Sequence, residues 1–104
     1  MQRGEVWWAN LLAPTGKRPV LVLSRDRAIQ VREFVTVSQV TTVIRGLPVE
    51  VSLSRKEGMP KECVINCDVI STIPKALLAE KICFLGSEKM KEVESAIKFA
   101  LDIP

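Results

Sequence analysis

Apolar and polar residues alternate in short runs from residue 5 to residue 84, and only after Gly86 does the spacing lengthen to that of a helix. GEVWWAN reads as a strand that sends Trp7 and Trp8 to opposite faces, so one indole is expected in the core. LLAPTGK, with Pro14 and Gly16, reads as a loop. RPVLVLS sets four aliphatic residues in a row, the pattern of a strand buried on both faces. RDRAIQ forms a helical turn or a loop, and EFVTVSQV is a β-branched strand with partial alternation. TTVIRGLP runs into a turn at Gly46 and Pro48, VEVSL alternates cleanly, SRKEGMPKE is a loop, and CVINCDVIST gives one or two short strands.

Pro74 suits the first position of a short helical turn over PKALLAE, and KICF is the last strand. Gly86 breaks the chain and Ser87 is placed to cap a helix reaching about Leu101. Met90, Val93, Ile97 and Leu101 fall on one stripe of that helix, expected to face the core. The fold class is therefore mainly β with a C-terminal helix: five to seven short strands in one small, strongly bent sheet or barrel, with the helix packed on it.

At 104 residues and 47% hydrophobic, the chain fits one domain with a core of its own. No apolar run approaches the ~20 residues of a bilayer span, and MQRGEVWWAN has no apolar signal region, so no membrane association and a cytoplasmic location are expected. The three cysteines, Cys63, Cys67 and Cys83, are an odd number. Cys63 and Cys67 lie four residues apart in a strand, roughly 13 Å, which is too far for a disulfide. With no CxxC and no histidine they make no zinc site either, and are read as reduced and packed.

The net charge is +3, unevenly spread. Residues 1–56 hold nine Lys and Arg against four acids, whereas residues 57–104 hold six Lys against eight acids. All seven arginines fall in the first part, and arginine fits phosphate geometry better than lysine does. The imbalance fits a polyanionic partner or a merely solvated basic surface.

Several chemistries are excluded. Without histidine there is no Ser-His-Asp or Cys-His machinery, there is no phosphate-binding glycine loop, and the acids are too scattered for a metal site, so no metal and no cofactor is expected. Arginine, hydroxyl and amide groups acting on an anion remain. RNA carries its own nucleophile: its 2′-OH attacks the adjacent phosphate in line, and the protein need only align the chain and stabilise charge on the phosphate.

Four segments in order resemble the MazF/PemK/Kid family of toxins, sequence-specific endoribonucleases of toxin–antitoxin pairs. They are RGEVWWANL, KRPVLVLS, VSQVTTVIRGLPVEVSL and INCDVISTIPK. The resemblance covers nearly the whole chain. It implies a small SH3-like, MazF–CcdB-type barrel that forms a homodimer, binds single-stranded RNA across a groove, and is neutralised by a cognate antitoxin with an acidic, disordered tail. It implies Arg18 and Thr41 as the catalytic pair, with Thr42 the neighbour most easily confused with Thr41. Among further RNA contacts, Lys17 steers phosphate, Thr42 touches RNA beside Thr41, Arg25 and Arg45 touch the backbone or stay solvated, and Gln39 reads a base edge or satisfies the backbone. Many members carry a longer, glycine-rich loop with an acidic residue before the arginine, whereas LLAPTGK is short and has none, which leaves the general base unassigned. The rival readings are a gyrase-binding toxin of the same fold that is no enzyme, and a nucleic-acid-binding barrel without catalysis.

Overall fold

Val20, Leu21 and Val22 are wholly inaccessible to solvent, yet they belong to two different cores. They end strand β2 (Lys17–Val22), the third strand in from one edge of a six-stranded sheet. A computed structural model describes all of residues 1–104. The other strands are β1 (Glu5–Asn10), β3 (Phe34–Thr41), β4 (Glu50–Leu53), β5 (Cys63–Pro74) and β6 (Leu78–Phe84), in the order β4-β5-β3-β2-β1-β6. Every pairing is antiparallel. Strands β4 and β6 are the unpaired edges, so the curled sheet stays open as a half-barrel.

One face carries the larger core, in which Leu21, Val6, Val40, Val51 and Ile65 meet Met90, Val93 and Ala96 of helix α2 (Ser87–Ala100). The other face carries Val20, Val22, Val35 and Val37 with Ile29 of helix α1 (Asp26–Val31). The run of aliphatic residues in β2 is thus explained: alternate side chains feed opposite cores, each full burial contributing roughly 1.5–3 kcal/mol.

The segment CVINCDVIST is one strand rather than two. Its pairing with β3 slips between Ser38 and Gln39, where Ser38 faces Ile70 but Gln39 faces Asn66, so Cys67, Asp68 and Val69 have no partner on β3. Such a bulge changes the face to which later residues point. Cys67 lies in the larger core while Ile73, an even number of residues on, packs against the smaller one. Ser38, fully buried at the slip, donates its hydroxyl to the Asn66 carbonyl at 2.7 Å.

Several expectations need correction. The helical turn after Pro74 is a single 3-10 turn, Lys75–Leu77, and the strand expected at KICF already begins at Leu78, because the main chain there pairs with β1. Helix α2 starts at Ser87 without a side-chain cap, and Gly86 holds the capping position. Leu101 lies past the last helical turn and is 57% exposed, while Ala96 completes the buried stripe with Met90 and Val93. All three cysteines are free thiols.

Neither tryptophan is fully buried, contrary to the expectation of one core indole. Trp7 packs against the smaller core and its indole N–H donates to Glu5 at 2.9 Å. Glu5, only 6% exposed, also accepts the Gln2 N–H and pairs with Lys81. Burial pushes its carboxyl up, and the bonds from Trp7, Gln2 and Lys81 together outweigh that, holding it below the usual carboxylate range.

Candidate functional site

The β2–β3 ladder ends at Val20 opposite Gln39. Two residues further, the same register would set Arg18 opposite Thr41, but there the strands have parted and β3 continues its pairing with β5 alone. The gap at this end of the sheet is the cleft. It has a volume of about 300 Å³, and Arg18, Thr41, Thr42, Lys17 and Trp8 line it from β1, β2 and the end of β3. Met59, Pro60 and Lys61, from the loop between β4 and β5, close the far wall.

Charge is one-sided here. Lys17, Arg18 and Lys61 line the cleft and no carboxylate does. The three ion pairs of the chain, Arg3–Glu94, Lys81–Glu5 and Lys89–Glu92, involve none of these cations. Lys17 places its ammonium 5.2 Å from the centroid of the Trp8 ring. Arg18 is half-buried at the start of β2 and precedes Pro19, which narrows the backbone conformations open to it.

Thr41 ends β3, and its hydroxyl oxygen accepts the Val43 N–H at 3.1 Å. With that lone pair occupied, the hydroxyl hydrogen is free to be donated to a ligand. The next loop is fixed by Glu50, whose carboxylate accepts the N–H groups of Arg45, Gly46 and Leu47 at 2.8–3.3 Å. Gly46, at φ +72°, supplies the left-handed backbone that lets these N–H groups converge.

The far wall has an internal brace. Glu57 accepts the Ser54 N–H at 2.7 Å, a bond that holds its carboxyl below the ordinary range, and the Met59 N–H returns to the Ser54 carbonyl at 3.2 Å. Gly58, at φ +104°, lies against β6 so closely that a Cβ there would stand 2.8 Å from that of Cys83. Cys63 begins β5 and lines the cleft with these residues.

Of the residues expected to bind RNA, Lys17 and Thr42 line the cleft with Arg18 and Thr41. Arg25 lies elsewhere, beside Arg32 and Thr36 in a separate groove next to α1. Arg45 belongs to the loop braced by Glu50, and Gln39 sits on β3 opposite Val20 and Asn66, both outside the cleft lining. Lys61 escaped the sequence reading. Its only signal was a positive charge in a loop, and nothing local brings residue 61 to residue 18.

A curled antiparallel half-barrel with a C-terminal helix and an acid-free, arginine-bearing cleft defines a small class of β proteins. Residues 2–101 match the PemK-like, MazF-like toxins of type II toxin-antitoxin systems, and the chain belongs to that family. It is 38% identical over 101 residues to the protein named "Probable endoribonuclease MazF5" from Mycobacterium tuberculosis (strain ATCC 25618 / H37Rv), covering 96% of this chain and 92% of that one. Its fold superposes on the Mycobacterium tuberculosis toxin MazF-mt6 with a TM-score of 0.89 at 32% identity, over 96% of this chain and 98% of that one. A MazE-MazF structure from Deinococcus radiodurans gives a TM-score of 0.82 at 25% identity, over 100% and 97% of the two chains.

Proposed function

We propose that this chain is an endoribonuclease toxin that cleaves single-stranded RNA at chosen sequences, without a metal ion, and so inhibits translation and growth. The observation that carries the reading is the cleft where β2 and β3 part, with three unpaired cations and three threonines around it and no carboxylate. A phosphodiester is the ligand for which that charge balance is suited. The family membership and the names of its relatives support the same reading.

In this mechanism the substrate 2′ oxygen attacks phosphorus, the O2′–P bond forms and the P–O5′ bond breaks. The 2′-OH proton passes to water, and the departing 5′ oxygen takes one up. Arg18 holds the phosphoryl oxygens with its planar donor array as negative charge gathers on them, and the Thr41 hydroxyl donates a further hydrogen bond. Lys17 and Lys61 hold the chain on either side. The products are a 2′,3′-cyclic phosphate and a 5′-OH.

The protein acts in the cytoplasm as a homodimer and is neutralised by a cognate antitoxin. Phe99, Leu101 and Ile103, all exposed near the end of α2, supply apolar surface of the kind a second subunit covers. A basic cleft is suited to receive an acidic, disordered antitoxin segment. Incubation with a long RNA in the presence of chelator tests the core of the reading. Discrete fragments ending in 2′,3′-cyclic phosphate and 5′-OH are expected, and intact RNA, or fragments with 5′-phosphate ends, would overturn it.

A further inference from the structure

Tryptophans at positions 7 and 8 have different duties. The Trp7 indole is accounted for by its hydrogen bond to Glu5 and its packing on the smaller core. The Trp8 ring has no hydrogen-bond partner within the chain and opens into the cleft beside Arg18 and Thr41. The Lys17 ammonium lies over the ring face at 5.2 Å, and both side chains line the cleft.

We propose that Trp8 is a stacking platform for a nucleobase next to the phosphate held by Arg18. In the free protein the Lys17 ammonium occupies the ring face, attracted by its π electrons. An arriving base covers the same face, and the displaced ammonium moves onto the neighbouring phosphate, where it is bound more strongly by a full opposite charge. Lys17 and Arg18 are consecutive on β2, Trp8 is paired with Pro19, and the ring and both cations line the same cleft of about 300 Å³. A π face accepts any base, so Trp8 contributes affinity and the register of the chain rather than sequence choice. The inference rests on the endoribonuclease reading above and adds to it the element that holds a base.

The test uses a randomised pool of 2′-O-methyl RNA heptamers, which cannot be cut, and an abasic oligonucleotide of the same length and charge. In a Trp7→Phe background Trp8 is the sole fluorophore. Its emission should be quenched by the heptamer pool and little changed by the abasic chain. Trp8→Leu, which keeps apolar volume without a π face, should weaken binding of the heptamers on the order of tenfold and leave binding of the abasic chain unchanged. Trp8→Phe should retain most of the affinity. Equal heptamer affinity in Trp8→Leu and the parent, with long RNA still cut by the parent, would overturn the stacking role alone. A parent that neither binds the heptamers nor cuts long RNA would overturn the endoribonuclease reading and this inference with it.

Discussion

The Glu50 carboxylate accepts the Gly46 N–H at 2.8 Å, and through that bond the first residue of β4 governs the loop that leaves β3 just after Thr41. The same carboxylate holds the N–H groups of Arg45 and Leu47. Glu50→Ala should therefore loosen the loop without touching the cations of the cleft. Amide exchange at Arg45, Gly46 and Leu47 should accelerate, stability should fall by about 1 kcal/mol, and RNA cleavage should drop several-fold as Thr41 loses its fixed pose. Unchanged exchange at these amides would remove Glu50 from this role.

Arg18→Ala should lower the cleavage rate by about 10²–10³-fold while the protein keeps its melting temperature, since Arg18 makes no ion pair within the fold. Arg18→Lys should recover little, because a point charge cannot replace two parallel donors. Thr41→Ala should reduce the rate substantially and Thr42→Ala much less. Single-turnover rates on one defined RNA decide all four, and a larger loss at Thr42 would reassign the hydroxyl donor.

Lys61→Ala should weaken RNA binding and flatten its salt dependence. Each lysine–phosphate contact on a single strand contributes about 0.7 to the slope of log K against log salt, so the variant should lose about that amount. Lys61→Arg should restore the slope. Binding isotherms at several salt concentrations would expose an unchanged slope, which would place Lys61 outside the RNA contact.

Glu5 makes stability depend on pH. Its carboxyl is held below the usual range in the folded chain, so its contribution is present above the unfolded value near 4.3 and is lost as pH falls through the lower folded value. Glu5→Gln should cost about 1–3 kcal/mol at neutral pH, since it weakens the bonds from Trp7 and Gln2 and the pairing with Lys81. The gap between the two proteins should close in acid, as thermal unfolding across pH 2–7 would show.

The cysteines should be slow toward thiol reagents in the native protein. Burial pushes the Cys67 thiol up to about 11, against a small opposing effect of Ser38, and burial raises Cys63 and Cys83 as well. At pH 8 a disulfide reagent should modify the half-buried Cys83 first and should count three thiols only after denaturation. Rapid modification of Cys67 in the folded protein would contradict its burial.

Much of this molecule was legible from local pattern. The aliphatic run of β2, the alternation of β4 and the break at Gly86 each express a local rule, and the structure follows them. Arg18, Lys17, Thr41 and Thr42 were legible through their motifs, and the fold gathers them in one cleft. The misses share a different origin. The bulge at Cys67–Val69 interrupts alternation, which left it open whether CVINCDVIST is one strand or two. Leu78 belongs to β6 because β1 pairs with it there, against a helical local pattern. Lys61 reaches the cleft by a return of the chain that only the pairing of β4 with β5 creates.

Because Val20 and Val22 are anchored on one side of the sheet and Leu21 on the other, β2 cannot be released by fraying either layer alone. The Arg18 guanidinium, on the second residue of this strand, is therefore tied to a segment packed into both cores. Local breathing of the loops will not disarm such a protein, and neither will a mild loss of stability. If the proposed activity holds, an inhibitor of this chain has to act by filling the cleft, because loosening the fold around it leaves the strand in place.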